Sequence, residues 1–202
     1  MKVELLDYTE NGIALIAKMG RATRCNKLDN DMEIDKNKDE KFVKALMVRQ
    51  HLGVLEHINF TFHVSEISRC LTHQLVRHRI ASYLQMSNRH AKPETEKSYV
   101  TPHTLKTDKA KKCYEWIMET SLAYYNELIN EGVPVEDARY VLPPAFYTHI
   151  SITMNVRELR HFLELRCDKS AQWEIRELAM EILDICYDTY PVLFEDIYKR
   201  YK

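Results

Sequence analysis

Two segments of this chain alternate apolar and polar residues with a period of two. In residues 58–64, an isoleucine, two phenylalanines and a valine take every second position, with polar side chains between them. In residues 146–154, two isoleucines and a methionine alternate with a histidine, a serine and a threonine. This period matches the side-chain alternation of a strand, so both segments are predicted to be strands with one buried face.

Apolar residues at helical spacing predict helices along much of the remaining chain. The predicted helices cover 42–50, the residues after Ser65 as far as Leu75, 108–131, 135–141, 156–166, the residues after Ser170, and the stretch that begins at Pro191. Ser65, Asn155 and Ser170 are the predicted N-caps, and Asn155 also forms a capping pair with Glu158. The highly charged residues 29–41 are predicted to form a mobile loop.

The order of these elements predicts an α+β fold, in which helices flank a small antiparallel sheet. Strands and helices do not alternate regularly, as they would in a parallel α/β fold. No internal repeat is visible, and 202 residues suffice for one compact domain with a sizeable core. The chain is therefore predicted to form a single domain over residues 1–202.

Composition and charge are those of an ordinary globular protein, with 45% hydrophobic residues and a net charge of -1. A general nucleic-acid binder is usually basic overall, so the near-neutral charge argues against that class. The N-terminus lacks a signal-peptide core, and no apolar run approaches the length of a membrane span. We therefore expect a cytoplasmic protein that does not associate with membranes.

The five cysteines are scattered, and no CxxC pair occurs. An odd number without paired spacing predicts neither a disulfide framework nor a zinc ribbon. Cys70 and Cys186 lie on apolar faces of predicted helices and are expected to pack in the core. The nine histidines include no HExxH or His-x3-His pair, so no metal site is predicted.

Residues 67–93 contain no carboxylate but carry several basic side chains: Arg69, Arg77, Arg79, Arg89 and Lys92. Guanidinium groups suit phosphates because they donate two parallel hydrogen bonds. Apolar residues run through the segment, which favours a shaped anion pocket over a basic surface run. No GxGxxG or GxxxxGK[ST] motif occurs, so side chains must hold any nucleotide. The residues alone indicate binding of a phosphorylated small molecule or of nucleic acid.

Arg77-His78-Arg79, followed after seven residues by Ser87, resembles the signature of the flavin-dependent thymidylate synthases. Further stretches are similar to this family in the same order along the chain: 56–64, 138–143, 155–157, 163–166 and 171–176. Several separate matches in the correct order are more specific than one short motif. The resemblance therefore extends over much of the chain.

The resemblance implies a methyltransferase that converts dUMP to dTMP, with methylenetetrahydrofolate as carbon donor, NADPH as reductant and FAD as cofactor. The residues that it implies for FAD binding are His51, Arg77, His78, Arg79, Asn155, Arg157 and His161. Those that it implies for dUMP binding are Gln74, Gln85, Ser87, Arg89, Arg139 and Arg166. Arg166 is the catalytic candidate, because its guanidinium would stabilise negative charge that develops on the pyrimidine ring. Family members are homotetramers with FAD at subunit interfaces.

Some positions depart from the family pattern. The family usually has Ser or Thr at Gly53, a polar residue at Leu84 and often Asn at His161, and some members have His at Ser170. A catalytically silent relative that keeps nucleotide binding is therefore retained as an alternative. A nucleic-acid-binding module is an alternative from another class, although the scattered arginines and the near-neutral charge speak against it.

A few side chains of the candidate site also have structural interpretations. Ser87 has no base beside it in sequence, so we expect a hydrogen-bond donor rather than a nucleophile. Arg160 is expected to form a surface ion pair with Glu164 at i+4. Asp168 is a candidate structural partner for Arg166.

Overall fold

The computed structural model describes residues 1–23, 35–87 and 98–202, and within them four strands form one sheet. The strands are β1 (Lys2–Tyr8), β2 (Asn59–Ser68), β3 (Ala81–Gln85) and β4 (Tyr147–Asn155), in the spatial order β1-β2-β4-β3. Thr61 on β2 hydrogen-bonds Thr153 on β4, and His63 hydrogen-bonds Ser151. The residue number rises from 61 to 63 along β2 while that of the partner on β4 falls from 153 to 151, so the two strands run antiparallel. The predicted α+β fold with a small antiparallel sheet is confirmed.

Helices make up most of the remaining described structure. The α-helices are α1 (Gly12–Ala22), α2 (Lys36–Val48), α3 (Arg69–Leu75), α4 (Asp108–Asn130), α5 (Val135–Ala138), α6 (Val156–Arg166), α7 (Trp173–Thr189) and α8 (Pro191–Tyr201). Short 3₁₀ helices occupy Leu52–His57 and Arg139–Val141. In these parts of the chain, no helix is both long enough and apolar enough to cross a membrane.

The predicted helix starts are only partly right. Asn155 caps α6 as predicted, because its side chain accepts a hydrogen bond from a backbone N–H of the first turn. The N-cap predicted at Ser65 is wrong, because β2 continues through Ser68 and the Ser68 hydroxyl caps α3. The N-cap predicted at Ser170 is wrong as well, because the side chain of Gln172 caps α7. In both cases a serine lies two or three residues before the true cap, and local sequence does not distinguish the two positions.

The N-terminal part of the chain contains structure that the sequence did not reveal. β1 and α1 were not predicted, and residues 36–41 belong to α2 rather than to the predicted loop. Asp35 caps α2, and the buried Asp39 forms an ion pair with Arg21 at 2.6 Å. Lysine and glutamate favour helices, so the charge of this stretch was misleading. Residues 24–34, which include the rest of the predicted loop, lie outside the described residues.

Contacts divide the chain into two compact units, of which the first comprises residues 1–2, 64–77 and 84–150. Its core contains a cluster of Tyr99, Met118 and Phe146. Cys70, predicted to be buried, is exposed, because the short α3 buries a neighbouring face that includes Leu71 and Leu75. The single domain over residues 1–202 stays a prediction.

The second unit comprises residues 3–63, 78–83 and 151–202. In its core, the Phe60 ring lies 5.9 Å from the Phe62 ring and 6.1 Å from the Phe194 ring, between centroids. The predicted apolar stripe of α7 is buried, and Cys186 at its end packs in the core as expected. This unit supports α6, which carries much of the candidate site.

Phe60→Ala should lower the free energy of unfolding by about 3–5 kcal/mol, because it removes a fully buried ring and leaves a cavity. Denaturant unfolding at a fixed protein concentration measures the change. Leu6→Ala on β1 is the control, because this side chain is 57% exposed and its loss should cost less than about 1 kcal/mol. Equal losses in the two variants would contradict this description of the core.

Candidate functional site

The segment Arg77-His78-Arg79 alternates exposed and buried side chains. It follows α3, and the Arg77 backbone N–H donates to the Gln74 carbonyl at 3.3 Å. Arg77 and Arg79 are exposed, whereas His78 is only 5% exposed. The segment therefore presents two guanidinium groups to solvent and buries the imidazole that lies between them in sequence.

His78 lies in the second unit against two charged side chains of α6. Arg166 Nε donates to His78 Nε2 at 3.1 Å, and Glu158 Oε1 lies 3.4 Å from His78 Nδ1. The Phe162 ring packs edge-on against the imidazole, with 5.1 Å between centroids. Burial and the neighbouring charges of Arg166 and His161 lower the pKa of His78 to about 4, so the ring is neutral at neutral pH.

Two other arginines of α6 form ion pairs. Arg157 binds Glu56 at 2.5 Å, and both side chains are about half exposed. Arg160 donates to both carboxylate oxygens of Asp196 on α8, at 2.8 and 2.6 Å. The prediction of an ion pair between Arg160 and Glu164 is wrong, because the Asp196 carboxylate binds the guanidinium in a bidentate manner.

Arg166 is held by His78 and not by Asp168, the partner suggested by the sequence. The Asp168 carboxylate instead accepts hydrogen bonds from the hydroxyl and the backbone N–H of Ser170, at 2.6 and 2.9 Å. These bonds hold the pKa of Asp168 below its usual range. Within the described residues, the terminal amino groups of Arg166 have no hydrogen-bond partner, so they can donate to a ligand.

A cavity of about 800 Å³ in the second unit is lined by three of the residues expected to bind FAD: Asn155, Arg157 and His161. Apolar side chains, among them Leu52 and Ile80, line other parts of it. Ligand pockets typically enclose roughly 300–1,000 Å³ and combine apolar walls with a few polar groups. Basic side chains share the lining with five carboxylates, those of Glu56, Glu158, Glu164, Glu195 and Asp196. A flat flavin ring suits the apolar wall, whereas its phosphates would have to lie beside the arginines rather than the carboxylates.

His51, also expected near the flavin, lines a second cavity of about 510 Å³ together with Gly53 and His57. A Cβ atom added at Gly53 would meet no atom within 4 Å. The serine or threonine that the family usually has at this position would therefore fit without a clash. The departure at Gly53 leaves open space and does not reflect a steric need for glycine.

The first unit contains Gln74, Gln85 and Arg139, which are expected to bind dUMP. Gln85 Nε2 donates to the hydroxyls of Thr72 and Thr148, at 3.0 and 3.2 Å. Both threonines are buried, so the Gln85 amide is fixed in orientation. Gln74 and Arg139 each donate to a nearby backbone carbonyl, at 3.3 and 2.9 Å.

Arg69 is a cation of the first unit that belongs to the carboxylate-free segment but is not among the residues that the resemblance implies for dUMP binding. Its Nη2 donates to the Met86 carbonyl at 3.0 Å. Burial lowers the pKa of Arg69, and the Arg139 charge lowers it further. An anion close to both guanidinium groups would relieve this repulsion. The position of Arg69 within the carboxylate-free segment 67–93 was the signal that could have identified it.

The remaining site residues are less informative. Ser87 is exposed, and Arg89 lies outside the described residues.

Within the described ranges, no group of three or more His, Cys, Asp or Glu side chains is arranged to hold a metal ion. Sequence reasoning treated Glu158 only as a capping residue of α6, so its place beside His78 was missed.

Comparisons with known proteins relate nearly the whole chain to one family. The family described as Thymidylate synthase complementing protein matches residues 4–192. A flavin-dependent thymidylate synthase from Geobacter sulfurreducens is 40% identical over 200 residues, which cover 97% of this chain and 86% of the relative. Enzymes of the same name from Pyrococcus furiosus and Clostridium tetani are 40% and 37% identical, and the matches cover 91% and 96% of this chain and 78% and 86% of the relatives.

Gln85→Leu should lower the free energy of unfolding by about 1–3 kcal/mol, because it removes the donor that Thr72 and Thr148 share. Gln85→Glu should cost less, because both hydroxyls can give up their bonds to the Arg69 and His149 carbonyls and donate to the carboxylate instead. Denaturant unfolding of the two variants tests the difference. An equal loss in both would show that these hydrogen bonds contribute little.

Proposed function

Because this chain belongs to the flavin-dependent thymidylate synthase family, we propose that it is an FAD-dependent methyltransferase that converts dUMP to dTMP. The observation that carries the proposal is the bond between Arg166 and His78 of the signature segment. It commits one N–H of the guanidinium to the protein, while the terminal amino groups have no partner within the described residues. Arg166 is thus a fixed donor suited to an anionic or carbonyl-bearing substrate.

The proposed flavin site combines the exposed guanidinium groups of the signature with residues of α6. Arg77 and Arg79 would pair with the FAD phosphates, and Arg157 would join them after release from Glu56. The other proposed FAD-binding residues are His51, His78, Asn155 and His161. Both ring nitrogens of His78 face protein atoms, so a contact with FAD would use its backbone or ring edge. Bound FAD would supply the redox chemistry, with NADPH as reductant and methylenetetrahydrofolate as carbon source.

For the substrate, we propose that Gln74, Gln85, Ser87, Arg89 and Arg139 hold dUMP, with Arg166 at its pyrimidine edge. Charge-assisted hydrogen bonds from arginine suit the substrate phosphate. At the pyrimidine, Arg166 would stabilise negative charge as the C5 carbon becomes nucleophilic. A fixed guanidinium needs little reorganisation for this task, because His78 already holds its Nε.

Two of the four described cysteines, Cys167 and Cys186, are buried and poorly suited to act as nucleophiles, whereas Cys70 and Cys113 are exposed. Burial raises the pKa of the Cys167 thiol to about 11 and that of Cys186 well above its usual value. A thiol is reactive mainly as the thiolate, so both are poor nucleophiles at neutral pH. We also propose a cytoplasmic homotetramer that acts without nucleic acid.

Activity can be tested with purified protein supplied with FAD, dUMP, methylenetetrahydrofolate and NADPH. We expect a flavin absorption spectrum and dTMP formation, and we expect omission of any one component to abolish dTMP formation. Flavin and dUMP binding without turnover would identify the catalytically silent alternative. Absence of flavin binding together with tight binding to nucleic acid would overturn the proposal.

Arg166→Ala should reduce kcat by about 100-fold or more, because removing one donor to a developing anion costs about 3 kcal/mol. Arg166→Lys should also be strongly impaired, because an ammonium group cannot reproduce the guanidinium fork. Steady-state kinetics and the flavin spectrum measure chemistry and cofactor binding separately. Lys169→Ala, which removes an exposed cation nearby, is the control and should retain activity. Normal turnover by Arg166→Ala would exclude the assigned role.

A further inference from the structure

We propose that Glu158 is a positioning residue, whose carboxylate faces His78 Nδ1 and thereby keeps the ring turned so that Nε2 accepts from the Arg166 guanidinium. The link from orientation to turnover rests on the proposed function of Arg166. The hydrogen-bonded arrangement itself does not, because it follows from atoms within the second unit. Three side chains are involved, and two of them lie on α6.

The donor and acceptor properties of the three side chains determine the tautomer. Arginine only donates hydrogen bonds, so His78 Nε2, which lies 3.1 Å from Arg166 Nε, must be an unprotonated acceptor. In a neutral ring the proton is then on Nδ1. This nitrogen faces Glu158 Oε1 at 3.4 Å, an electrostatic contact between a ring N–H and a carboxylate rather than a hydrogen bond of good geometry. Only the Nδ1–H tautomer satisfies both contacts.

The surroundings leave the His78 ring few other partners. His78 is 5% exposed and Glu158 is 8% exposed, so both groups are largely removed from water. Phe162 packs against the ring, and the Tyr83 hydroxyl donates to the His78 carbonyl at 2.7 Å. A buried ring nitrogen that lost its partner would stay unpaired, which destabilises that tautomer.

The arrangement also connects the two ends of α6. Glu158 lies in the first turn and Arg166 is the last residue, so roughly 12 Å of helix rise separates them. His78 bridges this distance from a different part of the chain. The carboxylate at the start of α6 therefore acts on the guanidinium at its end through one imidazole ring.

The charge state of His78 is the one that its bond to Arg166 requires. Burial first, then the charges of Arg166 and His161, lower the pKa of His78, so the ring stays neutral beside a cation. Burial raises the pKa of Glu158, while His161 acts in the opposite direction. A neutral ring can accept from Arg166, whereas a protonated ring cannot.

The tautomer can be observed directly by magic-angle-spinning NMR of the full-length protein labelled with ¹⁵N-histidine. The His78 signal is assigned by its loss in His78→Gln. We expect a protonated Nδ1 and an unprotonated Nε2 at neutral pH in the wild type. A wild-type ring with the proton on Nε2 would overturn the proposal. This measurement does not require activity, so it is distinct from a failure of the proposed function.

Two substitutions of Glu158 then separate positioning from packing. Glu158→Gln keeps a carbonyl acceptor and should preserve the Nδ1–H tautomer and activity within about threefold. Glu158→Leu keeps the approximate volume but removes the carboxylate that Nδ1 faces, so the His78 Nε2 signal should move from its wild-type shift as the bond to Arg166 loosens, and kcat/KM for dUMP should fall at least tenfold. Because Glu158 also lines the cavity assigned to FAD, flavin binding is measured in parallel, so that a loss of cofactor is separated from a loss of positioning. Glu177→Leu, at an exposed position of α7, is the control and should behave as the wild type.

The outcomes are readily distinguished. If Glu158→Leu is folded and keeps both the wild-type Nε2 signal and the wild-type kcat/KM, Glu158 does not position the ring. If Glu158→Gln is as impaired as Glu158→Leu, the acceptor is not the relevant property, and the proposal is equally overturned. If Glu158→Leu does not fold, the wild-type tautomer and Glu158→Gln still decide the question.

Discussion

A neutral imidazole can be buried without penalty only when one ring nitrogen faces a donor and the other faces an acceptor. His78 meets this requirement with Arg166 on one side and Glu158 on the other. The requirement joins the signature segment to α6 within the second unit and restricts how Arg166 can turn. Without either partner, a buried polar atom stays unpaired, which typically costs about 1–3 kcal/mol.

The first unit solves a related problem by different means. The Gln85 amide has a fixed donor end, so two threonine hydroxyls are sufficient to orient it. His78 can exchange its proton between two nitrogens, so its orientation depends on the charge and hydrogen-bonding capacity of its neighbours. Side chains that surround candidate ligand contacts therefore matter as much as the contacts themselves.

Periodic elements could be predicted from the sequence, because burial of one face leaves a local pattern. β2, β4 and the long helices α4, α6 and α7 have such patterns. Contacts between side chains that are distant in sequence leave no local pattern. Arg166 donates to His78, which lies 88 positions away. Arg160 donates to Asp196, which lies 36 positions away, rather than to a neighbour on its own helix. The family signature located the candidate site, but it gave no role to Glu158, because only the folded chain brings that carboxylate to the ring.

Glu56 serves as a resident counter-ion for Arg157. Both side chains are about half exposed, so the pair contributes about 0–1 kcal/mol and an incoming anion can exchange with the carboxylate at small cost. A singly charged ligand gains almost nothing from this exchange, since it replaces one negative charge with another. A group that carries more than one charge gains the difference. The carboxylate would thus compete with a ligand for Arg157, and this competition would favour ligands that carry more than one negative charge.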